Sequence, residues 1–397
     1  MPGWRGAIAQ ESPLVPPPMR PTQEIRGVWI TTNDMGILRD LPQTQNTMAR
    51  LSQLQFNTVY PVVWNSGYVL YPSEVAQRYG IQPFVWRGLQ GQDILQTAIA
   101  TAHQNGLLAI PWFEFGFMAP PLSELTIEHP DWFTHRRDGS DTTMSAAGEV
   151  RWMNPLHPEV QQFFTSLVME VVNRYDIDGI QFDDHTSLPV EFGYDDYTVA
   201  LYQQETKQPP PANPRDPAWM RWRADKLTEF MTRLNHQVKS RKPHIIFSVS
   251  PNPYTTAYNG FLQDWLTWVR TGIVDELLVQ MYRSDIYSFM EQVNRPEIQE
   301  ARQLIPTAAG ILTGLRRRPV PMSLVQAKVQ GARSRGLGMA FFSFESLWND
   351  APEPAEERQA MFEIMFQRVA VRSRLAATPR PPTPPPTPDP LLLPTGI

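Results

Sequence analysis

Short apolar runs alternate along this chain with stretches whose apolar positions recur every three or four residues. The runs predict strands at 24–31 (EIRGVWIT), 57–64 (NTVYPVVW), 107–115 (LLAIPWFEF) and 177–184 (IDGIQFDD). Four more follow at 244–251, 276–283, 305–312 and 338–345. Most are almost continuously apolar rather than strictly alternating, as parallel strands covered on both faces are.

The helical spacing is clearest over 158–175, where Val160, Phe163, Phe164, Leu167, Val168, Val171, Val172 and Tyr175 make one broad stripe. Residues 93–105 repeat the pattern, and Gly106 stands where a glycine ends a helix. Further helices are predicted at 41–54, 217–240, 257–271, 286–295, 321–335 and 352–370. Eight strands, each followed by a helix, predict an α/β fold of the (β/α)8 (TIM) barrel type in a single domain. A doubly wound sheet would share the alternation, but no GxGxxG or GxxxxGK[ST] follows any strand.

The ends read differently. Residues 1–23 hold six prolines and little periodicity, an extended leader; 378–397 (TPRPPTPPPTPDPLLLPTGI) reads as a Pro/Thr-rich tail without a core. Between them, the longest inserts, 116–156 and 185–216, follow the third and fourth strands. Both leave the face where barrel active sites are built.

Composition narrows the partners. A net charge of −5 over 397 residues gives no concentrated basic face, so nucleic acid and anionic membranes are set aside. The absence of cysteine excludes disulfides, cysteine-ligated zinc and thiol nucleophiles. No apolar run reaches the ~20 residues of a spanning helix. The start, MPGWRGAIAQ, has no signal-peptide hydrophobic region. Either the chain works in the cytoplasm or Met1 is not the start of the full precursor. Twelve tryptophans leave two readings open, a large core or platforms for sugar rings.

Catalytic side chains in such a barrel stand at the C-terminal ends of strands. The third strand ends in Glu114, the fourth in Asp183-Asp184-His185, the sixth in Gln280-Met281-Tyr282 and the eighth in Glu345. Alternation along the fourth strand turns Gly179, Gln181 and Asp183 inward if Ile180 and Phe182 face the helices; Glu114 shares its face with Trp112. A carboxyl among aromatics is desolvated and suited to be an acid; one near donors stays ionised. Glycoside hydrolysis needs that pair. The plainer alternatives are a turn cap for Asp184, a buried ion pair for Glu114 and an anchor for the closing turn at Glu345. Two carboxylates and one histidine from a single tripeptide rarely converge on one ion, so no metal is expected, and no motif calls for a cofactor.

The segments EIRGVWIT, FNTVYPVVWNSGYVLYPSE, YDIDGIQFDDH, FSVSPNP and FFSFESLW resemble glycosyl-hydrolase-like family 10, a bacterial envelope-associated group. The resemblance covers roughly residues 23–370. It implies a barrel acting on polysaccharide, with members linked to peptidoglycan glycan strands, and an extracytoplasmic setting. It carries over Asp183, Asp184, the stretch ending at Trp64 with Tyr68 and Tyr71, and Glu345. A more distant likeness to glycoside hydrolase family 18 aligns Tyr282 with that family's tyrosine of the sixth strand, while His185 stands where its catalytic Glu would be.

The reading is a glycosidase in which Asp183 is nucleophile or base or orients a substrate acetamido group. Glu114 is the acid, with Asp184, Tyr282 and Glu345 assisting. Trp64, Tyr68, Trp112, His185, Gln280 and Asn252 are the substrate-binding candidates. The alternatives are a carbohydrate-binding barrel without catalysis and a non-hydrolytic glycan-cleaving enzyme.

Overall fold

The computed structural model describes residues 22–82, 92–145, 148–315, 318–349 and 351–372. The leader up to residue 21 and the tail from 378 lie outside the described residues.

Eight parallel strands close on themselves: β1 (Arg26–Ile30), β2 (Thr58–Asn65), β3 (Leu108–Ala109 and Trp112–Glu114), β4 (Gly179–Asp183), β5 (Ile246–Ser250), β6 (Glu276–Gln280), β7 (Thr307–Leu312) and β8 (Gly338–Phe342). Each pairs with the next, and β8 pairs back onto β1, so the barrel has no open edge. Helices follow in turn: α1 (Leu41–Gln53), α2 (Ile94–Gln104), α3 (Pro158–Arg174), α4 (Pro217–Arg241), α5 (Trp265–Arg270), α6 (Pro296–Leu304), α7 (Met322–Ser334) and α8 (Ala355–Met365). This is the (β/α)8 barrel.

Periodicity explains the layers. All eight apolar positions read over 158–175 are buried, filling the space between α3 and the strands. Gly106 takes φ 73° just past α2, a backbone a side chain would strain. One expected helix divides in two, and another ends two residues early. Over 257–271 the chain forms Tyr254–Phe261 and then α5, because Leu262 adopts φ 54° and Asp264 caps a new start at the Thr267 amide. Over 286–295 the helix stops at Val293, and Pro296 opens α6.

Inside the barrel, large side chains from β1–β3 lie against small ones from β7 and β8. Trp29, Tyr60 and Trp112 fill the centre beside Ala308, Gly310 and Ala340. Gly27 is required: a Cβ there would stand 2.6 Å from the Tyr60 ring. A polar thread crosses this interior, from Trp29 Nε1 to Gln181 Oε1 (2.6 Å), Gln181 Nε2 to Ser248 Oγ (2.9 Å) and Ser248 Oγ to Glu276 Oε1 (2.8 Å). Arg372 closes the N-terminal mouth, pairing with Glu276 and donating to Thr58 Oγ1.

Two fully buried arginines secure the loops of the other mouth. Arg223 donates to the carbonyls of Val190 (2.7 Å), Phe192 (2.5 Å) and Pro214 (2.5 Å), pinning the insert after β4. Arg358 donates to those of Thr313 (3.0 Å), Ser346 (3.2 Å) and Leu347 (2.7 Å), tying the exits of β7 and β8 together. Each satisfies several carbonyls that the irregular loops leave unpaired. Among the described residues no helix is long and apolar enough to cross a membrane.

Candidate active site

The C-terminal mouth gathers Asp34, Asn65, Glu114, Asp183, Asp184, His185, Gln280 and Tyr282. Register brings Glu114 beside Asp183: Trp112 pairs with Gln181 and Phe113 with Phe182, so the next step up holds the two acids on neighbouring strands. Gly116 lets the exits of β3 and β4 touch, since a Cβ there would lie 2.5 Å from the Thr186 amide nitrogen. Phe115, at φ 57°, turns its N–H to Asp183 Oδ2 at 2.8 Å.

Asp183 is 2% exposed and its acceptor capacity is heavily used. Besides Phe115 N it accepts from His185 N (3.0 Å) and faces His185 Nδ1 at 2.8 Å. Burial opposes charge on His185, but Asp184 and Asp183 outweigh it and lift the imidazole to about 9. At neutral pH this is an imidazolium between two aspartates.

Asp184 accepts from Gln280 Nε2 (2.8 Å) at one oxygen and Asn252 Nδ2 (2.7 Å) at the other. Burial raises its pKa, His185 works against the rise, and Asp183 adds to it. Glu114, 6% exposed, is raised to about 8 by burial; the amide of Asn65 (2.5 Å) pulls it down and the charge of Asp183 pushes it up. Tyr282 is pushed well above the usual phenol range, by burial first and then by Asp184, Glu114 and Asp183. The mouth thus holds a neutral carboxylic acid and a neutral phenol beside an ion-paired Asp–His cluster.

Its wall is aromatic. Phe342 stands 5.5 Å from Tyr282, 6.2 Å from Trp29 and 6.3 Å from Trp112, between ring centres. Trp112 Nε1 and Ser250 Oγ are buried without a partner among the described residues.

Several expected binding residues fall elsewhere. Trp64 is 0% exposed, packs on Phe163 at 5.9 Å and donates to Gly116 O at 2.8 Å, so it belongs to the core between barrel and helices. The cause is a β-bulge between Val62 and Trp64: it reverses alternation, turning Trp64 outward and Asn65 inward. Tyr71 is fully buried, bonded to Glu170 Oε2 at 3.0 Å. Trp112, 3% exposed, lies in the barrel interior beneath the mouth and offers no open face. Tyr68 is half-buried with its hydroxyl on Glu124 (3.0 Å). Glu345 does not end β8. Ser343 caps the helix Phe344–Trp348, and Glu345 lies half-buried in its first turn.

Alternation missed two residues. Asn65 was hidden by the bulge. Asp34 lies in a helical turn after β1, its carboxylate accepting from Thr31 N at 2.8 Å and its Oδ1 buried without a partner. Burial lifts it to about 7; the Thr31 amide resists this and Glu345's charge assists. The TTND sequence is itself a cap signature and marks this acid. Asp183, Asp184 and His185 offer ligand atoms all within 4.8 Å of one another, the only such group among the described residues. At neutral pH the His185 imidazolium offsets one of these two carboxyl groups.

A profile of the family described as Glycosyl hydrolase-like 10 matches residues 24–330. The chain belongs to this family. Within it, the chain is 28% identical over 303 residues to glycosyl hydrolase DigH of Escherichia coli strain K12, a match covering 66% of this chain and 66% of that protein. It is 23% identical over 299 residues to glycosyl hydrolase YngK of Bacillus subtilis strain 168, covering 66% of this chain and 54% of the relative. The chain thus spans just under two thirds of one relative and about half of the other. Among solved structures, the PgaB (BpsB) glycoside hydrolase domain from Bordetella bronchiseptica superposes with a TM-score of 0.64 at 15% identity, over 89% of this chain and 100% of that one. The β-amylase catalytic domain from Paenibacillus polymyxa follows with a TM-score of 0.58 at 10% identity, over 87% and 99%. These two share the barrel fold; the family match supports glycosidase-type chemistry.

Proposed function

We propose that this protein is a glycoside hydrolase that cleaves O-glycosidic bonds in an N-acetylated amino-sugar polymer, with peptidoglycan glycan strands as the leading substrate. One observation carries the reading: Glu114, buried and raised to about 8, keeps its proton at neutral pH beside an ion-paired carboxylate cluster. That is the division between acid and charge stabiliser that glycoside cleavage requires.

In this reading Glu114 protonates the departing glycosidic oxygen. Asp183, already occupied by Phe115 and His185, positions and charges the cluster rather than touching sugar. Asp184, held by Asn252 and Gln280, presents the working carboxylate. It serves either at the anomeric carbon or on the N–H of a substrate acetamido group. The unpartnered Trp112 Nε1 and Ser250 Oγ, beside the Trp29–Phe342–Tyr282 wall, suit the carbonyl and methyl of that group. DigH and YngK bear the name glycosyl hydrolase, which supports the reaction class.

The test is release of reducing ends from peptide-free glycan strands and from N-acetylglucosamine oligosaccharides, by wild type, Glu114→Gln and Asp184→Asn. Turnover by wild type and its loss in both variants is expected; equal turnover by all three removes the mechanism. A second reading, a sugar-binding barrel without catalysis, is favoured by one observation, the imidazolium of His185 where the distant likeness has an acid. It predicts saturable binding with no new reducing ends.

A further inference from the structure

We propose that Lys328 is a positioning residue for Tyr282, holding from behind the turn that sets the phenol beside the acids of the C-terminal mouth. Its consequence for turnover rests on the glycosidase reading; the tether itself does not.

Lys328 lies mid-way along α7 and is 0% exposed. Among the described residues its ammonium forms no ion pair within 4 Å; its hydrogen bond goes to the main-chain carbonyl of Arg283, at 2.5 Å, and the Phe289 ring lies 5.8 Å away. A lysine so enclosed is rare, since burial strips the ammonium of water. Burial lowers its pKa to about 8, with Asp285 acting against the shift and Arg283 adding to it. A methionine of similar length would pack there without this cost. What methionine cannot do is donate to the Arg283 carbonyl.

That carbonyl belongs to the residue whose N–H closes a very short turn. Met281 N donates to Gly310 O at 3.0 Å, fixing the end of β6 on β7, and Arg283 N donates back to Met281 O at 2.9 Å. Tyr282 is therefore the apex residue, with Lys328 securing the far side. The same segment is clamped a second time. A Cβ on Gly331 would lie 2.5 Å from Met290 Sδ, the flexible end of a half-buried side chain, so the helix Ile286–Val293 packs directly on α7 at this point. Asp285 starts this helix by accepting from Ser288 N at 2.8 Å. Tyr282 thus leads into a segment docked twice on α7, and its ring is delivered against Phe342.

The test uses the full chain as wild type, Lys328→Met, Lys328→Gln and Lys328→Arg. Amide exchange over residues 281–285 reads the tether, and kcat and KM on an N-acetylglucosamine oligosaccharide read its consequence. Exchange in Lys328→Met should rise, and kcat fall, each about tenfold, with KM within about twofold and circular dichroism unchanged. Lys328→Arg, which keeps a cationic donor, should recover part of both. Unchanged exchange at 281–285, or unchanged kcat despite faster exchange, overturns the proposal. If wild type turns over no glycan, the glycosidase reading fails by itself and exchange still decides the tether. If Lys328→Met does not fold, Lys328→Gln, too short to reach the Arg283 carbonyl, is read by the same two measurements in its place.

Discussion

Asn65 donates its side-chain amide to Glu114 Oε2 at 2.5 Å, across the β2–β3 pair just above the bulge that turns Asn65 inward. The bond favours the carboxylate and so opposes the burial that keeps Glu114 protonated. Asn65→Ala should therefore raise the Glu114 pKa further. The alkaline limb of the kcat/KM profile should move to higher pH, by up to about one unit. A downward shift would mean that Asn65 does not act on the acid.

Glu114 also ties stability to pH. Its folded pKa, about 8, stands above the ordinary 4.5, so its contribution is complete below 4.5 and lost as pH rises through 8. Asp34, lifted from 3.8 to about 7, acts in the same direction. The contribution of His185 is complete below 6.5 and lost as pH rises through 9. Melting temperature should fall between pH 6 and 9. Glu114→Gln should flatten that fall and stabilise the fold at pH 9 by on the order of a few kcal/mol, while lowering kcat by about 10²–10⁴-fold. A variant melting as steeply as wild type would place the alkaline sensitivity elsewhere.

The imidazolium of His185 sits 2.8 Å from Asp183 and 3.4 Å from Asp184, and no lysine or arginine pairs with either acid among the described residues. His185→Gln removes the counter-charge and should cost about 3 kcal/mol, because two neighbouring acids are left without it. Asp183→Asn in the same chain should restore part of that loss. Denaturant unfolding of the two single variants and the double variant measures the coupling, and purely additive costs would exclude the ion pair as the source.

How far the sequence could be read follows the same physics. Parallel strands buried on both faces announce themselves as apolar runs, and the stripe on α3 is unambiguous, so the barrel and its acidic rim were legible. Alternation placed Gln181 and Asp183 inward correctly because β4 is regular. It failed on β2, where one extra residue exchanges the faces of Trp64 and Asn65 and no local signal marks the bulge. It failed at Glu345 because Ser343 caps a helix one residue after β8 ends. The contacts that assemble the rim, such as Gly116 on Thr186 and Lys328 on Arg283, join residues 70 and 45 positions apart, beyond any periodicity.

The two tryptophans read as sugar platforms separate these effects cleanly. Trp64 fills the barrel–helix core and spends its only donor on Gly116 O, so Trp64→Ala should destabilise the fold by about 3–5 kcal/mol. Trp64→Phe, losing the hydrogen bond and some volume, should cost about 1–2 kcal/mol. Neither should change KM in whatever protein remains folded. Trp112 is almost as buried, yet its Nε1 has no partner among the described residues and its ring meets Phe342 at 90°. Trp112→Phe keeps the apolar packing and removes that one donor. It should leave the melting temperature nearly unchanged and raise KM for N-acetylated oligosaccharides several-fold, with little effect on their de-N-acetylated counterparts. A KM increase equal for both sugars would detach Trp112 from the acetamido group, and a large loss of stability would return it to the core beside Trp64.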